Sequence, residues 1–298
     1  MKKIIFALLH RTGVTRFAAW WNRKRVIFLC YHGVTERSSR APEDSKALQV
    51  NRQRFAAHLD LLARRYHPIS LGDYLTARDA GQCLRDYSVI LTFDDGFRNF
   101  LTVAAPLLVE RNIPATVFLI TDNVAQESGQ GESTWSPEDD QKSISWAEAR
   151  VLKEEYGFEF GSHTCSHSRL LGLSPHETER ELLHSLKDLV TNLAVGRPAL
   201  SYPKGEYSRL LAAEAQKVGY ACAVTTDRGY NEIDHDPFTL GRALIGDNDD
   251  EAAFAVRLSG LRWWLVKTRS IVRRSRPAKT ATVEATVAAT ESALQFTD

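Results

Sequence analysis

The amino-acid sequence predicts an α/β fold built on a parallel sheet of seven strands that closes, wholly or in part, into a barrel. A doubly wound open sheet is the alternative. Three observations point there. Short apolar runs rich in β-branched residues recur at 26–31, 89–93, 115–120, 158–162, 199–202, 222–226 and 239–245. Helical patterns lie between them, near 51–65, 99–111, 146–155, 175–193 and 207–217. The residues best suited to chemistry gather at or near the ends of the strand runs, the face on which parallel α/β barrels carry their active sites.

The elements follow in chain order. Strand runs of four to seven residues alternating with longer helical patterns read as βαβ units. The helix at 175–193 has a marked start: Ser174 can cap it, Pro175 suits the first turn, and Glu177 lies three residues beyond the cap. Residues 122–145 are polar and rich in Gly, Ser, Glu and Asp. That is long for a connection in a compact domain and predicts a functional or mobile loop. The tail 277–298, mostly Ala, Thr, Val and Glu, is expected to be disordered.

A chain of 298 residues with 43% hydrophobic content suffices for one large domain or two small ones. Its ordinary composition excludes collagen-like, coiled-coil and wholly disordered classes. The formal charge is only +1, but it is unevenly spread. Residues 1–25 carry seven Lys or Arg and no acid, and residues 257–279 carry eight and no acid. The stretch 26–256 is left with 23 basic and 34 acidic residues, a net of −11. An acidic core with basic ends argues against a nucleic-acid partner, whose basic footprint would lie on the folded domain. It fits basic arms beside an anionic membrane.

Cys30, Cys83, Cys165 and Cys222 are widely spaced and form no CxxC pair, so free thiols are expected. No run approaches the 18 or more apolar residues of a membrane-spanning helix. The start resembles a secretory signal, but only six apolar residues precede His10 and Arg11, short for the apolar region of one. The expectation is a cytoplasmic protein, peripheral at the inner face of the plasma membrane, with export as the alternative.

Two segments carry the chemistry. In Leu91-Thr92-Phe93-Asp94-Asp95-Gly96, adjacent carboxylates end an apolar strand. Adjacent strand residues face opposite sides, so only a turn at Gly96 brings both to one mouth. Read alone, Asp-Asp-Gly is equally a solvated turn. In Gly161-Ser162-His163-Thr164-Cys165-Ser166-His167, two histidines four apart end another strand and can chelate one ion from a helical turn or a tight loop. Read alone, they are equally exposed loop histidines. Together the segments supply two imidazoles and one carboxylate for a divalent ion, with a second carboxylate left as general base. Cys165, between the histidines, is not expected to ligate.

An acid for the leaving group and an oxyanion donor are sought at the other strand ends. His32 follows the first strand in Cys30-Tyr31-His32-Gly33 and is the candidate acid. His10, His58, His67, His176, His184 and His235 read as helix-surface or loop residues. In Ser201-Tyr202-Pro203-Lys204-Gly205, proline and glycine fix a turn where the Lys204 N–H could serve an oxyanion. Arg242, in the seventh strand, could orient a carboxylate.

Thr92-Phe93-Asp94-Asp95-Gly96 and His163-Thr164-Cys165-Ser166-His167 resemble the first two motifs of the polysaccharide deacetylase family (NodB homology, carbohydrate esterase 4). The resemblance spans about residues 26–245. It implies a distorted (β/α)₇ barrel and one divalent metal, usually zinc. It further implies Asp94 as base and Asp95, His163 and His167 as ligands. A His₂Asp set also accommodates cobalt, nickel or iron. Two motifs depart from the family. Ser201 stands where its third motif carries arginine, with Lys204 in place of an aromatic, and Leu240-Gly241-Arg242 stands where Leu-x-His supplies the acid. These departures resemble a branch acting on exopolysaccharides such as poly-N-acetylglucosamine, in which an early Tyr-His supplies the acid; Tyr31-His32 matches it.

The expected organisation is a basic amphipathic segment at 1–25, a deacetylase domain at 26–256, a basic amphipathic helix at 257–276 and the tail. The expected activity is removal of N-acetyl groups from an acetylated glycan. An O-acetyl esterase and a non-catalytic glycan-binding module are the alternatives. Residues 254–273 read as a helix with Phe254, Leu258, Leu261, Leu265 and Val272 on one side, flanked by Arg257, Arg262, Arg269 and Arg273. With the first 25 residues it would lie on an anionic membrane, or else both segments pack on the barrel ends.

Overall fold

A computed structural model describes residues 2–36, 48–124, 142–227 and 229–261. Most of the polar 122–145 segment, the chain beyond Leu261 and the expected disordered tail lie outside the described residues. Two helices, α1 (Lys2–Arg11) and α2 (Val14–Trp21), precede β1 (Ile27–Tyr31). After β1 come the short strands β2 (Gly33–Thr35) and β3 (Gln49–Asn51), which pair with each other in parallel. Then follow α3 (Arg52–Arg65), β4 (His67–Pro68), α4 (Leu71–Asp79) and β5 (Ser88–Phe93). A π-type turn at Phe100–Ala104 runs into α5 (Ala105–Glu110), followed by β6 (Thr116–Leu119), α6 (Trp146–Glu154) and β7 (Glu159–Ser162). The chain continues through α7 (Pro175–Leu193), β8 (Ala199–Ser201), α8 (Arg209–Val218), β9 (Cys222–Val224), β10 (Arg242–Leu244) and α9 (Glu251–Leu258).

The main sheet is parallel throughout, in the order β10-β1-β5-β6-β7-β8-β9, with β4 added beside β5. Its two ends meet where Thr225 N–H donates to Leu240 O at 2.8 Å and Leu240 N–H to Ala223 O at 3.1 Å. The sheet is therefore a nearly closed barrel, as the seven strand runs predict. All seven appear, six of them trimmed by one to four residues and the run at 89–93 extended by Ser88. β2, β3 and β4, of two or three residues each, and the helix α4 have no counterpart in the sequence expectations.

Strand alternation places the site. On β1 and β5, Ile27, Leu29, Tyr31, Val89, Leu91 and Phe93 pack outward against the helices. Phe28 and Ile90 point inward with Phe118, Ala199, Cys222, Val224 and Leu240 to fill the barrel. Counting upward in twos, the inward positions become Cys30 and His32 on β1 and Thr92 and Asp94 on β5, so the apolar filling gives way to polar side chains at the strand ends. Gly161 allows this filling: a Cβ there would lie 2.6 Å from the Phe118 ring.

The long helix begins as its sequence predicts, with Glu177 N–H donating to Ser174 Oγ at 3.3 Å and Ser174 N–H to the Glu177 carboxylate at 2.9 Å. Of the helix expected at 254–273, only the start is described: Glu251–Leu258 form α9 and Gly260 turns the chain at φ 75°, while residues 262–273, and with them most of the basic helix expected at 257–276, lie outside the described residues. Phe254 and Leu258, expected on a membrane-facing side, are fully buried in the core. His58, expected at a helix surface, is also buried, stacked on Phe254 with ring centroids 3.9 Å apart. The helix laid over α3 covers a position that α3 alone would expose. All four cysteines are free thiols.

Candidate metal centre and active site

Asp94 ends β5 pointing into the barrel, and the next residue reverses the alternation. Asp95 takes φ 72° and Gly96 φ 67°, so the backbone turns one residue earlier than the glycine suggests. Both carboxylates thereby reach one mouth. Gly96 is confined as well as left-handed, since a Cβ would sit 2.6 Å from Leu119 Cδ2.

The histidines sit on a tight loop after β7, with Thr164 at φ 67° and His167 at φ 60°. Glu181 of α7 shapes that loop. Its carboxylate accepts from the Cys165 N–H at 3.1 Å, the Ser166 N–H at 3.0 Å and the Ser166 hydroxyl at 2.7 Å. Thr164 O and Cys165 O accept from the Thr121 and Asp122 amides. The Cys165 thiol points back to Glu181 O at 3.4 Å, and burial pushes its pKa up to about 11. It is a core group, not a ligand.

His163 is buried, with Nδ1 2.8 Å from Ser201 O. A carbonyl only accepts, so Nδ1 carries the proton and Nε2 presents a lone pair. That Nε2 lies 3.6 Å from Asp95 Oδ1, and His167 Nε2 lies 4.0 Å from the same oxygen. The ligand atoms of Asp95, His163 and His167 all fall within 4.8 Å of one another. Two ligands each about 2 Å from one ion at a tetrahedral angle are separated by roughly 3.3 Å, so small side-chain movements would complete such a site. The charge pattern also suits a cation. Burial and the adjacent Asp94 charge push Asp95 up to about 7, with Arg242 offsetting in part. Burial lowers the basicity of His163, to a pKa of about 4. The donor set is thus a neutral imidazole pair and a carboxylate short of positive charge, the composition of a divalent-metal site.

Asp94 is held differently. Arg242 Nη1 and Nη2 each donate to one of its oxygens at 2.7 Å. Ser201 Oγ at 3.2 Å and Cys30 Sγ at 3.5 Å donate to Oδ2 as well. Burial alone would raise its pKa, but the paired guanidinium dominates and keeps the carboxyl ionised well below the usual range. Arg242 corrects the expectation that the site residues cluster at C-terminal strand ends. It is the first residue of β10, level with Phe28 of β1, and its side chain runs up the barrel axis. On the way Nε donates to Thr225 O at 3.0 Å and Nη1 to Thr92 Oγ1 at 3.0 Å. The small Ser201 side chain leaves room for this guanidinium, and its hydroxyl accepts from Arg242 Nη2 at 2.9 Å.

His32 is half-buried after β1, with a ring nitrogen inside the 4.8 Å group it forms with Cys30 and Asp94. Its Nδ1 is buried without a hydrogen-bond partner. Burial lowers its pKa, while the Asp94 charge acts against that. Lys204 turns at φ 59°, and among the described residues its amide N–H donates to nothing. Its exposed ammonium is close enough to lower the basicity of His167. A cleft of about 660 Å³ opens beside Asp95 and His167, walled by Phe97, Ile120, Asn123, Lys142 and Ser143. The structure thus brings Asp94, Asp95, His163, His167, His32, Arg242 and Lys204 around one mouth. Glu181, Thr92 and the Ser201 hydroxyl belong to the same assembly and were not singled out for these roles by sequence. Ser201 was flagged only as a departure from the motif.

Residues 81–223 match the polysaccharide deacetylase family profile. The Bacillus subtilis (strain 168) protein YxkH is 25% identical over 240 residues, covering 78% of this chain and 76% of its own. The poly-β-1,6-N-acetyl-D-glucosamine N-deacetylase of Escherichia coli (strain K12) is 23% identical over 271 residues, 80% of this chain but only 39% of that protein. Among solved structures, the Streptococcus pyogenes deacetylase PplD, in complex with acetate, superposes with a TM-score of 0.67 at 24% identity, over 78% of this chain and 98% of that one. Residues 81–223 thus match the polysaccharide deacetylase domain, and the nearly closed parallel barrel, with the Asp-Asp and His-His motifs at its mouth, has the fold of the solved deacetylase.

Proposed function

We propose that this chain removes N-acetyl groups from an N-acetylhexosamine-containing polysaccharide or oligosaccharide. The observation that carries the reading is the pairing of an ionised, arginine-held Asp94 with the Asp95–His163–His167 ligand set at one mouth. Asp95, His163 and His167 would hold one divalent ion, zinc by donor chemistry, with cobalt, nickel or iron compatible. When bound, such an ion supplies Lewis acidity, lowering the pKa of a water toward ~7 and polarising the acetyl carbonyl. Asp94 then needs to be only a weak base, which suits a carboxylate stabilised by Arg242. Among the described residues its Oδ1 accepts one hydrogen bond against three at Oδ2, which leaves Oδ1 acceptor capacity for the proton of the attacking water. The Lys204 amide is the candidate donor to the carbonyl oxygen as it gains charge. His32, whose ring nitrogen lies within 4.8 Å of an Asp94 oxygen, is the candidate to donate a proton to the departing nitrogen. The E. coli relative named for poly-β-1,6-N-acetylglucosamine makes that polymer the first substrate to test.

The test is acetate release from poly-N-acetylglucosamine, chitooligosaccharides and acetylated xylan, with metal content measured in parallel. N-acetylated substrates should release acetate. Asp94→Asn should keep its metal and lose activity by ~10²–10⁴-fold. His163→Ala and His167→Ala should lose metal and activity together. Release from acetylated xylan alone would make the enzyme an O-acetyl esterase. Full metal occupancy in both histidine variants would remove the proposed ligand set.

A further inference from the structure

We propose that the α1–α2 hairpin is a docking surface for an anionic lipid bilayer. Seven of the thirteen exposed large apolar side chains among the described residues fall within the first 21 positions. Six of these are Ile4 (74% exposed), Ile5 (53%), Leu8 (61%), Phe17 (63%), Trp20 (47%) and Trp21 (66%). They are grouped, not scattered. Ile4, Ile5 and Leu8 share one face of α1, and Phe17, Trp20 and Trp21 share one face of α2. A concentrated apolar patch of this kind marks an interaction surface.

The hairpin is fixed to the barrel, so the patch is presented on a rigid support. α1 packs on α9, Asn22 Nδ2 donates to Ser259 O at 3.1 Å, and Arg23 pairs with Asp86 at 3.0 Å. The helices have ten and eight residues, too short to cross a bilayer but suited to lying in its interface. Charge selects the occupant. Seven Lys or Arg and no acid accompany the patch. Arg23 and Arg25 are tied to acids of the barrel, whereas Arg11, Arg16 and Lys24 pair with no acid among the described residues. A cleft of about 600 Å³ beside α2 adds a recess for a charged headgroup, lined by His10, Arg16, Trp20, Arg65 and Tyr66.

Two occupants from the chain itself are disfavoured by the same charge. The segment 257–279 carries eight bases and no acid, so laying it over the hairpin would bring like charges together. A second copy seated face to face would do likewise. An anionic lipid surface attracts both basic segments at once. The recess is walled by Arg65, Tyr66 and Tyr87, at the end of α3 and the approach to β5, so α2 lies where the strands begin. Docking there leaves the catalytic mouth on the far side, a strand length of roughly 17 Å away.

The test is co-sedimentation of the full chain with vesicles of phosphatidylcholine containing one quarter phosphatidylglycerol, against phosphatidylcholine alone, at 50 and 500 mM salt (on the order of a threefold change in Debye length). Binding is expected only to the anionic vesicles, with at least a tenfold loss at high salt. Leu8→Glu/Phe17→Glu/Trp21→Glu should reduce binding at low salt by at least tenfold. The milder Phe17→Ser/Trp21→Ser pair should give a partial loss, with an unchanged melting temperature as the folding control. Parent-level binding by both variants overturns the proposal, as does equal binding to neutral vesicles. A dimer that the triple substitution converts to monomer, without vesicle binding by the parent, identifies a second copy and also overturns it. So does an absence of binding by the parent to the anionic vesicles at 50 mM salt.

Discussion

Arg242 and Asp94 face each other as a two-pronged ion pair, each guanidinium nitrogen 2.7 Å from its carboxylate oxygen, and both side chains are buried. A pair sealed from water gains or loses as a unit, because either partner left alone is a buried, uncompensated charge. Arg242→Met should lower unfolding free energy by about 3–5 kcal/mol and abolish activity. Adding Asp94→Asn to Arg242→Met should recover part of that stability though not the activity. Urea unfolding of the four proteins in the cycle checks this. A double variant no more stable than Arg242→Met would mean the pair is not coupled.

Glu181 acts through the backbone of the histidine loop. It holds the Cys165 and Ser166 amides between the two imidazoles and so sets their spacing. Outer partners of this kind typically contribute 10–100-fold to metal affinity. Glu181→Ala should weaken metal binding by about that factor, with activity recovering toward the parent as metal is raised. A metal-buffered titration reads it. Unchanged affinity would show that the loop holds its shape without the carboxylate.

His32 is tested by leaving group. An amide nitrogen must be protonated to depart, whereas a phenolate leaves without a proton. His32→Ala should cut N-acetyl hydrolysis by ~10²–10⁴-fold and aryl acetate hydrolysis far less. Equal losses on the two substrates would assign His32 to positioning Asp94. The measurement is kcat/KM on each with metal content matched.

How much of this was legible in the sequence depended on the range of the interaction. The barrel was readable because each strand announces itself locally, through β-branched runs that end in chemical residues. β4 was not, since two residues carry no period; its pairing with β5 at His67–Ser88 is a tertiary fact. Asp94, Asp95, His163 and His167 were readable because each pair sits within one short motif. Glu181 was not: a glutamate on an amphipathic helix reads as a solvated position, and only the fold brings it to the loop at 165–166. Arg242 was recognised as a residue that could orient a carboxylate. Its route up the barrel interior from the start of a strand follows from the register of β10 against β1.

His58 gives a pH dependence of stability whose sign follows from its surroundings. It is 1% exposed; its Nε2–H donates to Asp249 O at 2.7 Å and its Nδ1 accepts from the Tyr31 hydroxyl at 3.2 Å. Both nitrogens are therefore satisfied in the neutral ring, and burial lowers its pKa to about 4, with Asp249 offsetting in part. In the unfolded chain the same group titrates near ~6.5. Between these values the unfolded state binds a proton that the folded state refuses, so stability falls as pH is lowered through the window and is fully present above it. The loss is on the order of 2 kcal/mol by pH 5. Other buried histidines add to the total slope, so the comparison is with His58→Gln, which can keep both hydrogen bonds and does not titrate. With chelator present throughout, the fall in unfolding free energy from pH 7.5 to pH 5 should be about 2 kcal/mol smaller in His58→Gln than in the parent. Parallel pH profiles for the two proteins would mean that His58 takes up its proton in the folded state, and that the cover provided by Phe254 and α9 opens to admit it.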